Sequence, residues 1–306
     1  MTLALLFPGQ GAQHPEMLRW LDESPQAQPA LARMASAIGA DWRTRVADAD
    51  WSERNSIAQP SLTGLCIAAW NVLEGQLPLP VAIAGYSVGE LAAYAAAGAL
   101  EGADAQRLAV CRAQAMDRCA GTASAGLLSV TRIAALDVEA VCARLGLELA
   151  IRIGPDRVLV GGASDVLDSA ARELIGRGGE CKRLRVQVAS HTSQMEPAAA
   201  EFAALLAGTR WSVPRTPLVT CFRGRATRAI DDLRRDLAAQ IAHTVQWQRC
   251  LDTLAERRPR CVLEVGPGTT LARMWAAAHP EIPVRSIDEF GSAAAVVAWV
   301  RESRAD

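Results

Sequence analysis

Apolar positions along the chain fall into two rhythms, short unbroken runs and longer stretches with a helical period, which is the alternation expected of strands and helices taken in turn. Leu3-Ala4-Leu5-Leu6-Phe7 is the first short run, closed by Pro8-Gly9. Residues 16–77 read as helices with polar breaks, among them the largely apolar stretch 62–73, and Pro78 and Pro80 end that region. A second short run, Val81-Ala82-Ile83-Ala84, enters Gly85-Tyr86-Ser87-Val88-Gly89-Glu90 and then an Ala/Leu-rich run to Ala97. Buried strand, sharp Gly-x-Ser-x-Gly turn and helix in that order form a nucleophile elbow. After a break at Gly98 and Gly102, the pattern predicts a helix over 104–120, with Leu108, Cys111, Ala115, Met116 and Cys119 on one face. Further on, a helix runs from about Pro197 to Ala207, and the segment Gln240 to Trp247 closes another. Cys261-Val262-Leu263-Glu264-Val265 reads as a strand before the turn Gly266-Pro267-Gly268, with a helix starting near Thr270. Residues 283–306 read as a last short strand and an amphipathic helix.

The middle of the chain has a different order. Strand 126–131, helix 136–145, strand 147–153, a Gly154-Pro155-Asp156 turn, strand 157–161, helix 165–177 closed by Gly178-Gly179, and strand 180–188 follow one another. This βαββαβ sequence is that of a ferredoxin-like unit. The expected fold is therefore α/β, a large α/β-hydrolase-like domain with a parallel sheet (residues 1–122 and 190–306) carrying an inserted ferredoxin-like subdomain (residues 123–189). The cleft between the two is the natural place for a ligand.

Composition narrows the function classes. Half of the 306 residues are hydrophobic, enough for a large core. With 32 basic and 33 acidic residues there is no basic footprint for nucleic acid or an anionic membrane. The eight cysteines stand singly, without Cys-x-x-Cys pairs, and read as buried free thiols in a reducing compartment. The first strand follows Met1 too directly for a signal peptide, and no run of 18 apolar residues occurs, so a cytoplasmic soluble protein is expected.

Candidate chemistry gathers at a few polar residues. Ser87 stands at the tip of the elbow, where a helix N-terminus would face an oxyanion forming beside it. Ser-x-x-Glu is also a capping box, so Ser87 as a helix cap stays open. Gly9-Gln10-Gly11 permits close backbone approach to a ligand at a strand end, or makes an ordinary turn. Arg112 lies within about 40° of Leu108 and Cys119 on the apolar face of its helix, at about 100° per residue. A core-facing guanidinium needs an anion, either an internal carboxylate or, 25 residues after a nucleophilic serine, a carboxylate of the substrate. Of four histidines, His14 and His279 each precede a proline in expected surface turns, which leaves His191 or His243 as the base.

Six segments, in this order and spacing, resemble the malonyl-CoA:acyl-carrier-protein transacylases over nearly the whole chain. They are Phe7-Pro8-Gly9-Gln10-Gly11-Ala12-Gln13, Gly85 to Glu90, Arg112, Ser190-His191-Thr192, Gln240 to Trp247, and Glu264-Val265-Gly266-Pro267-Gly268. The resemblance implies that Ser87 carries the malonyl ester, that His191 activates it, and that Arg112 pairs with the malonyl carboxylate. It further implies that the backbone N–H groups of Gln10 and Val88 form the oxyanion hole, and that Gln240 orients the histidine through its main-chain carbonyl. The implied partners are malonyl-CoA and an acyl carrier protein with a phosphopantetheine or CoA-like thiol, with no metal and no organic cofactor.

Three positions depart from the family pattern. Tyr86 stands where His is common, His243-Thr244 where Asn-Pro is common, and Ile153-Gly154-Pro155 replaces an Asn-containing stretch. The Gly-Tyr-Ser-Val-Gly-Glu form resembles the transacylase (epsilon) subunit of malonate decarboxylase, which is the expected role; the alternative is a malonyl transacylase of fatty-acid or polyketide synthesis. A serine thioesterase or hydrolase would want Ser, Asp/Glu and a late His in chain order, with its oxyanion loop after the third strand. A non-catalytic subunit that docks carrier proteins would have no need of a core-facing arginine near an elbow serine.

Overall fold

The computed structural model describes residues 2–121, 124–186 and 188–303. Its strands are β1 (Leu3–Phe7), β2 (Ala82–Gly85), β3 (Ala125–Thr131), β4 (Glu148–Gly154), β5 (Arg157–Ala163), β6 (Glu180–Arg183), β7 (Leu218–Thr220), β8 (Arg225–Thr227), β9 (Cys261–Glu264) and β10 (Val284–Ser286). They form a six-stranded sheet in the order β10-β9-β1-β2-β7-β8 and a four-stranded sheet in the order β4-β5-β3-β6.

In the larger sheet β10, β9, β1, β2 and β7 run parallel, and β8 closes the edge as an antiparallel hairpin with β7. The central strands are apolar throughout because helices cover both faces. Leu3, Leu5, Phe7 and Ile83 point into one core, and Ala4, Leu6, Ala82 and Ala84 into another, the two-residue alternation of a strand. Register places Phe7 beside Gly85 and Leu6 beside Glu264. Three strands therefore end together, and the loop from residue 8, the elbow and the 266–268 turn leave from one edge, the carboxyl edge where parallel α/β sheets bind ligands.

The smaller sheet is antiparallel, and in its own strand count the order is 2-3-1-4. Helices Ala135–Leu145 and Ser164–Gly176 cover one face, burying Leu128, Val130, Val138, Val141, Val158, Val160 and Leu167. Its other face, with Leu127, Ile151 and Leu159, shares a core with Val245 and Trp247 of the larger unit. Backbone bonds from Arg152 N–H to the Val245 carbonyl and from Val245 N–H to the Ala150 carbonyl, both 2.9 Å, stitch the two together.

Several boundaries differ from the sequence expectation. The strand expected over 180–188 ends at Arg183. Leu184 N–H still reaches the Leu127 carbonyl (2.9 Å), but Leu184, Val186 and Val188 then pack into the larger unit's cores instead of extending the small sheet; Gln187 lies outside the described residues. The expected domain limit at 122–123, and residues 304–306 of the last helix, also lie outside them. Gln240 to Trp247 does not close one helix. Helix Ile230–Ala239 stops at Gln240, the chain makes the bridge at Val245, and a new helix spans Trp247–Ala255. Strands β7 and β8 had no counterpart in the pattern, being three residues each. Among the described residues no helix is long and apolar enough to cross a membrane.

Candidate active site

Ser87 takes φ +55°, the left-handed region that costs a non-glycine residue free energy unless its surroundings enforce it. Here they do. A Cβ on Gly85 would sit 2.3 Å from the Glu90 nitrogen, and one on Gly89 would sit 2.3 Å from the Phe7 carbonyl oxygen. Both glycines are thus required by close backbone approach, and the turn is wedged between β1 and its own helix, Gly89–Ala96. Among the described residues the Ser87 hydroxyl bonds to His191 and Arg112 and accepts from no backbone N–H, while the Glu90 N–H donates to the Ser87 main-chain carbonyl, which removes the capping-box alternative. Glu90, the other half of that box, turns inward and accepts from the Cys221 N–H at 2.8 Å, fully buried. Burial, with the nearby Cys221 thiol next in size, holds its carboxyl well above the usual range.

Ser87 Oγ is 2.9 Å from His191 Nε2. His191 also has positive φ, +66°, and its own N–H donates to the Ile241 carbonyl at 2.8 Å. Its Nδ1–H donates to the Gln240 carbonyl. That bond leaves Nε2 as the acceptor facing the serine hydroxyl, since a carbonyl can only accept. Gln240 serves twice: its side-chain Nε2 donates to the Ser87 carbonyl at 3.3 Å, tying the elbow to the segment that holds the histidine. His191 is 2 % exposed. Burial, and then the positive charge of Arg112, push its pKa down to about 3, with the Gln240 bond opposing. His243 is exposed, pairs with the Ala239 carbonyl at 2.9 Å and rests edge-on against Phe222. Of the two candidate bases, only His191 meets Ser87.

Arg112 is 1 % exposed on helix Gly102–Ala120. Nη1 donates to Gln59 Oε1 at 2.7 Å and Nη2 to Ser87 Oγ at 3.4 Å, while Nε has no partner. Among the described residues no carboxylate lies within 4.0 Å of it, so the internal ion pair does not form. Burial pulls its pKa down to about 10, against the pull of Glu90, which leaves it protonated at neutral pH.

Neither the Gln10 nor the Val88 backbone N–H donates to any group among the described residues. Gln10 Nε2 donates to Asn55 Oδ1 at 3.0 Å, and Asn55 Nδ2 donates to Asp117 Oδ1 at 2.7 Å. Beyond this relay opens a cavity of about 1040 Å³ between the helix starting at Asn55, the end of the Arg112 helix and the small sheet, lined by Arg54, Asn55, Asp117, Arg183 and Arg185 among others. Ser87 and His191 are not part of its lining; Asn55, which is, bonds to the Gln10 side chain. Gln59 and Asn55 had not been singled out from the sequence. Gln59 is fully buried in a helix that also buries Asn55, Ser61 and Thr63, so a polar residue type alone did not mark it out. Tyr86 packs edge-to-face on Trp247, centroids 5.0 Å apart. Cys66, Cys142, Cys221 and Cys250 are buried free thiols, and Cys111, Cys119 and Cys181 are free and partly exposed.

A left-handed serine at a strand-to-helix elbow, paired with a buried histidine at the carboxyl edge of a parallel sheet, belongs to enzymes that pass acyl groups through a serine ester. The chain is a member of the acyl transferase domain family, whose pattern it matches over residues 4–305. It is 29% identical over 291 residues to the malonyl CoA-acyl carrier protein transacylase of Mycobacterium bovis, covering 93% of this chain and 96% of that one. The crystal structure of malonyl-CoA:acyl carrier protein transacylase from Xanthomonas oryzae superposes with a TM-score of 0.91 at 29% identity, covering 98% and 99% of the two chains. A polyketide synthase of Streptomyces halstedii is 28% identical over 280 residues, 88% of this chain and 5% of that much longer one.

Proposed function

We propose that the protein is a malonyl transacylase that moves the malonyl group from malonyl-CoA to the thiol of an acyl carrier protein through an ester on Ser87. The observation that carries this is Arg112: a buried cation without a carboxylate partner, 3.4 Å from the serine oxygen. An unpaired buried charge is costly, and the terminal carboxylate of a malonyl group is the anion that its position requires.

In the first half-reaction Ser87 Oγ attacks the thioester carbonyl while its proton passes to His191 Nε2. The carbonyl oxygen gains the negative charge, and the free N–H groups of Gln10 and Val88 stabilise it. Collapse breaks the C–S bond, and the departing CoA thiolate takes the proton from His191. The second half-reaction repeats these steps in reverse with the carrier-protein thiol as nucleophile. Acyl exchange of this kind changes no oxidation state, so a nucleophile, a base and an oxyanion hole suffice and no cofactor beyond CoA as substrate is invoked. Substrate carboxylate on Arg112 also removes one of the two influences that depress His191, so a malonyl substrate strengthens the base that activates Ser87. Of the arginines lining the cavity, Arg54 makes no ion pair with a carboxylate among the described residues, whereas Arg183 pairs with Asp168 and Arg185 with Glu53, so Arg54 is the charge best placed for a phosphate of CoA.

The relatives' names are those of carrier-protein transacylases and a polyketide synthase, which favours the fatty-acid or polyketide role over the malonate decarboxylase epsilon role suggested by Gly85 to Glu90. Transfer assays separate them: malonyl-CoA with a phosphopantetheine-bearing acyl carrier protein should give malonyl-carrier with parallel-line initial-rate plots. Preference for a carrier with a CoA-like prosthetic group would restore the decarboxylase role. Release of free malonate as the main product would point to a hydrolase instead.

A further inference from the structure

The loop after β1 carries the Gln10 amide, and such a donor acts only if held where the oxyanion forms. The 266–268 turn presses on this loop on either side of Gln10. A Cβ on Gly266 would stand 2.5 Å from Pro8 Cγ, and one on Gly268 would stand 3.0 Å from the Ala12 carbonyl oxygen. One side chain outside both hydrogen-bonds to turn and loop together. Asp288, with a side chain 5% exposed, accepts from the Gly268 N–H at 2.7 Å through Oδ2 and from the Leu18 N–H at 2.9 Å through Oδ1. His14 Nε2 lies 2.5 Å from Oδ2. Leu18 has φ +49°, a strained conformation for a branched side chain, and its N–H is spent on Asp288. Ser286 Oγ adds a 2.5 Å bond to the Gly268 carbonyl, and the Asp288 N–H in turn donates to Ser286 Oγ at 3.2 Å.

We propose that Asp288 is a positioning residue for the oxyanion loop: its carboxylate gathers donors from the loop and from the 266–268 turn, and so sets where the Gln10 N–H points. This rests on the assignment of Gln10 to the oxyanion hole. Only a carboxylate fits, because both oxygens must accept. Asparagine would turn an NH₂ toward an N–H donor, and at least one of the two amides would lose its acceptor.

The test is Asp288→Asn. A shift of about 1 Å at a catalytic group costs roughly 10²-fold, so kcat for malonyl-Ser87 formation should fall about 10- to 100-fold while KM for malonyl-CoA stays within about threefold. A boronic acid that forms a tetrahedral adduct on Ser87 places an oxygen in the same hole, and its affinity should fall by a similar factor. His14→Gln keeps a donor toward Asp288 and should stay near wild type, while His14→Ala should fall part of the way. Unchanged kcat and boronate affinity in a folded Asp288→Asn protein would overturn the proposal, as would a KM increase matching the kcat loss. If that variant does not fold, His14→Ala decides: a selective kcat loss supports the proposal and unchanged kcat overturns it. Failure of the wild-type protein to acquire the ester would instead overturn the transacylase assignment itself.

Discussion

Arg112→Ala isolates the group that distinguishes malonyl from simpler acyl chains. In the wild-type site the guanidinium is buried and has one strong partner, Gln59, so a bound carboxylate gains a charge-assisted pair. Removing one partner of such a pair costs about 3–5 kcal/mol. At about 1.36 kcal/mol per decade, kcat/KM for malonyl-CoA should fall by about 10² to 10⁴. Acetyl-CoA has no carboxylate to lose. Loss of the Arg112 charge should also make His191 more basic, since that charge is the second cause of its lowered pKa, so acetyl turnover should hold or rise. Lysine at 112 lacks the planar fork and should recover only part of the malonyl activity. The substitution orphans the buried Gln59 Oε1, a cost of about 1–3 kcal/mol to stability, so thermal melts must show a folded protein at the assay temperature. The assay is kcat/KM for both thioesters on wild type, Arg112→Ala and Arg112→Lys. Equal losses for the two substrates would show that Arg112 holds Gln59 and the elbow in place and reads no carboxylate.

Other expectations follow from the same geometry. His191→Ala should lower acylation by several orders of magnitude and His243→Ala by far less, measured as single-turnover rates; the reverse ranking would identify the wrong base. His191 must be neutral to accept the serine proton, and its folded pKa of about 3 lies below the ordinary value near 6.5. The acid limb of kcat/KM should therefore lie well below pH 6.5, and a limb at 6.5 would contradict the burial argument. The same shift has a sign in stability: as pH falls below about 6.5 the unfolded chain takes up this proton and the folded one does not. Wild type should therefore lose stability relative to His191→Gln in acid melts, and parallel curves would refute this. Gly89→Ala drives a Cβ to 2.3 Å from the Phe7 carbonyl oxygen, and should lower Tm and abolish acylation together.

How much of this was legible beforehand depended on whether a residue's role lies in its type and spacing. The elbow was readable because glycines around a serine after an apolar run leave few other conformations. The inward course of Arg112 followed from helical period alone. Choosing between His191 and His243 required the resemblance or the fold, since 104 residues separate Ser87 from His191. The capping-box alternative at Ser87 and Glu90 could be settled only by tertiary contact: Cys221, at the strand end beside the elbow, donates its N–H to the Glu90 carboxyl. Gln240 acts through a main-chain carbonyl, which any residue possesses, so no residue type could announce it. Asp288, 270 residues from its partner Leu18, lay in a stretch read only as a strand and helix.

The central claim is a malonyl ester on Ser87, and intact-mass spectrometry with peptide mapping tests it most directly. Incubated with malonyl-CoA alone, the protein should gain the mass of one malonyl group. The gain should map to the peptide containing Ser87, disappear on addition of acceptor thiol, and be absent from Ser87→Ala. No gain, or a gain that maps to a cysteine such as Cys111 or Cys119, would contradict it.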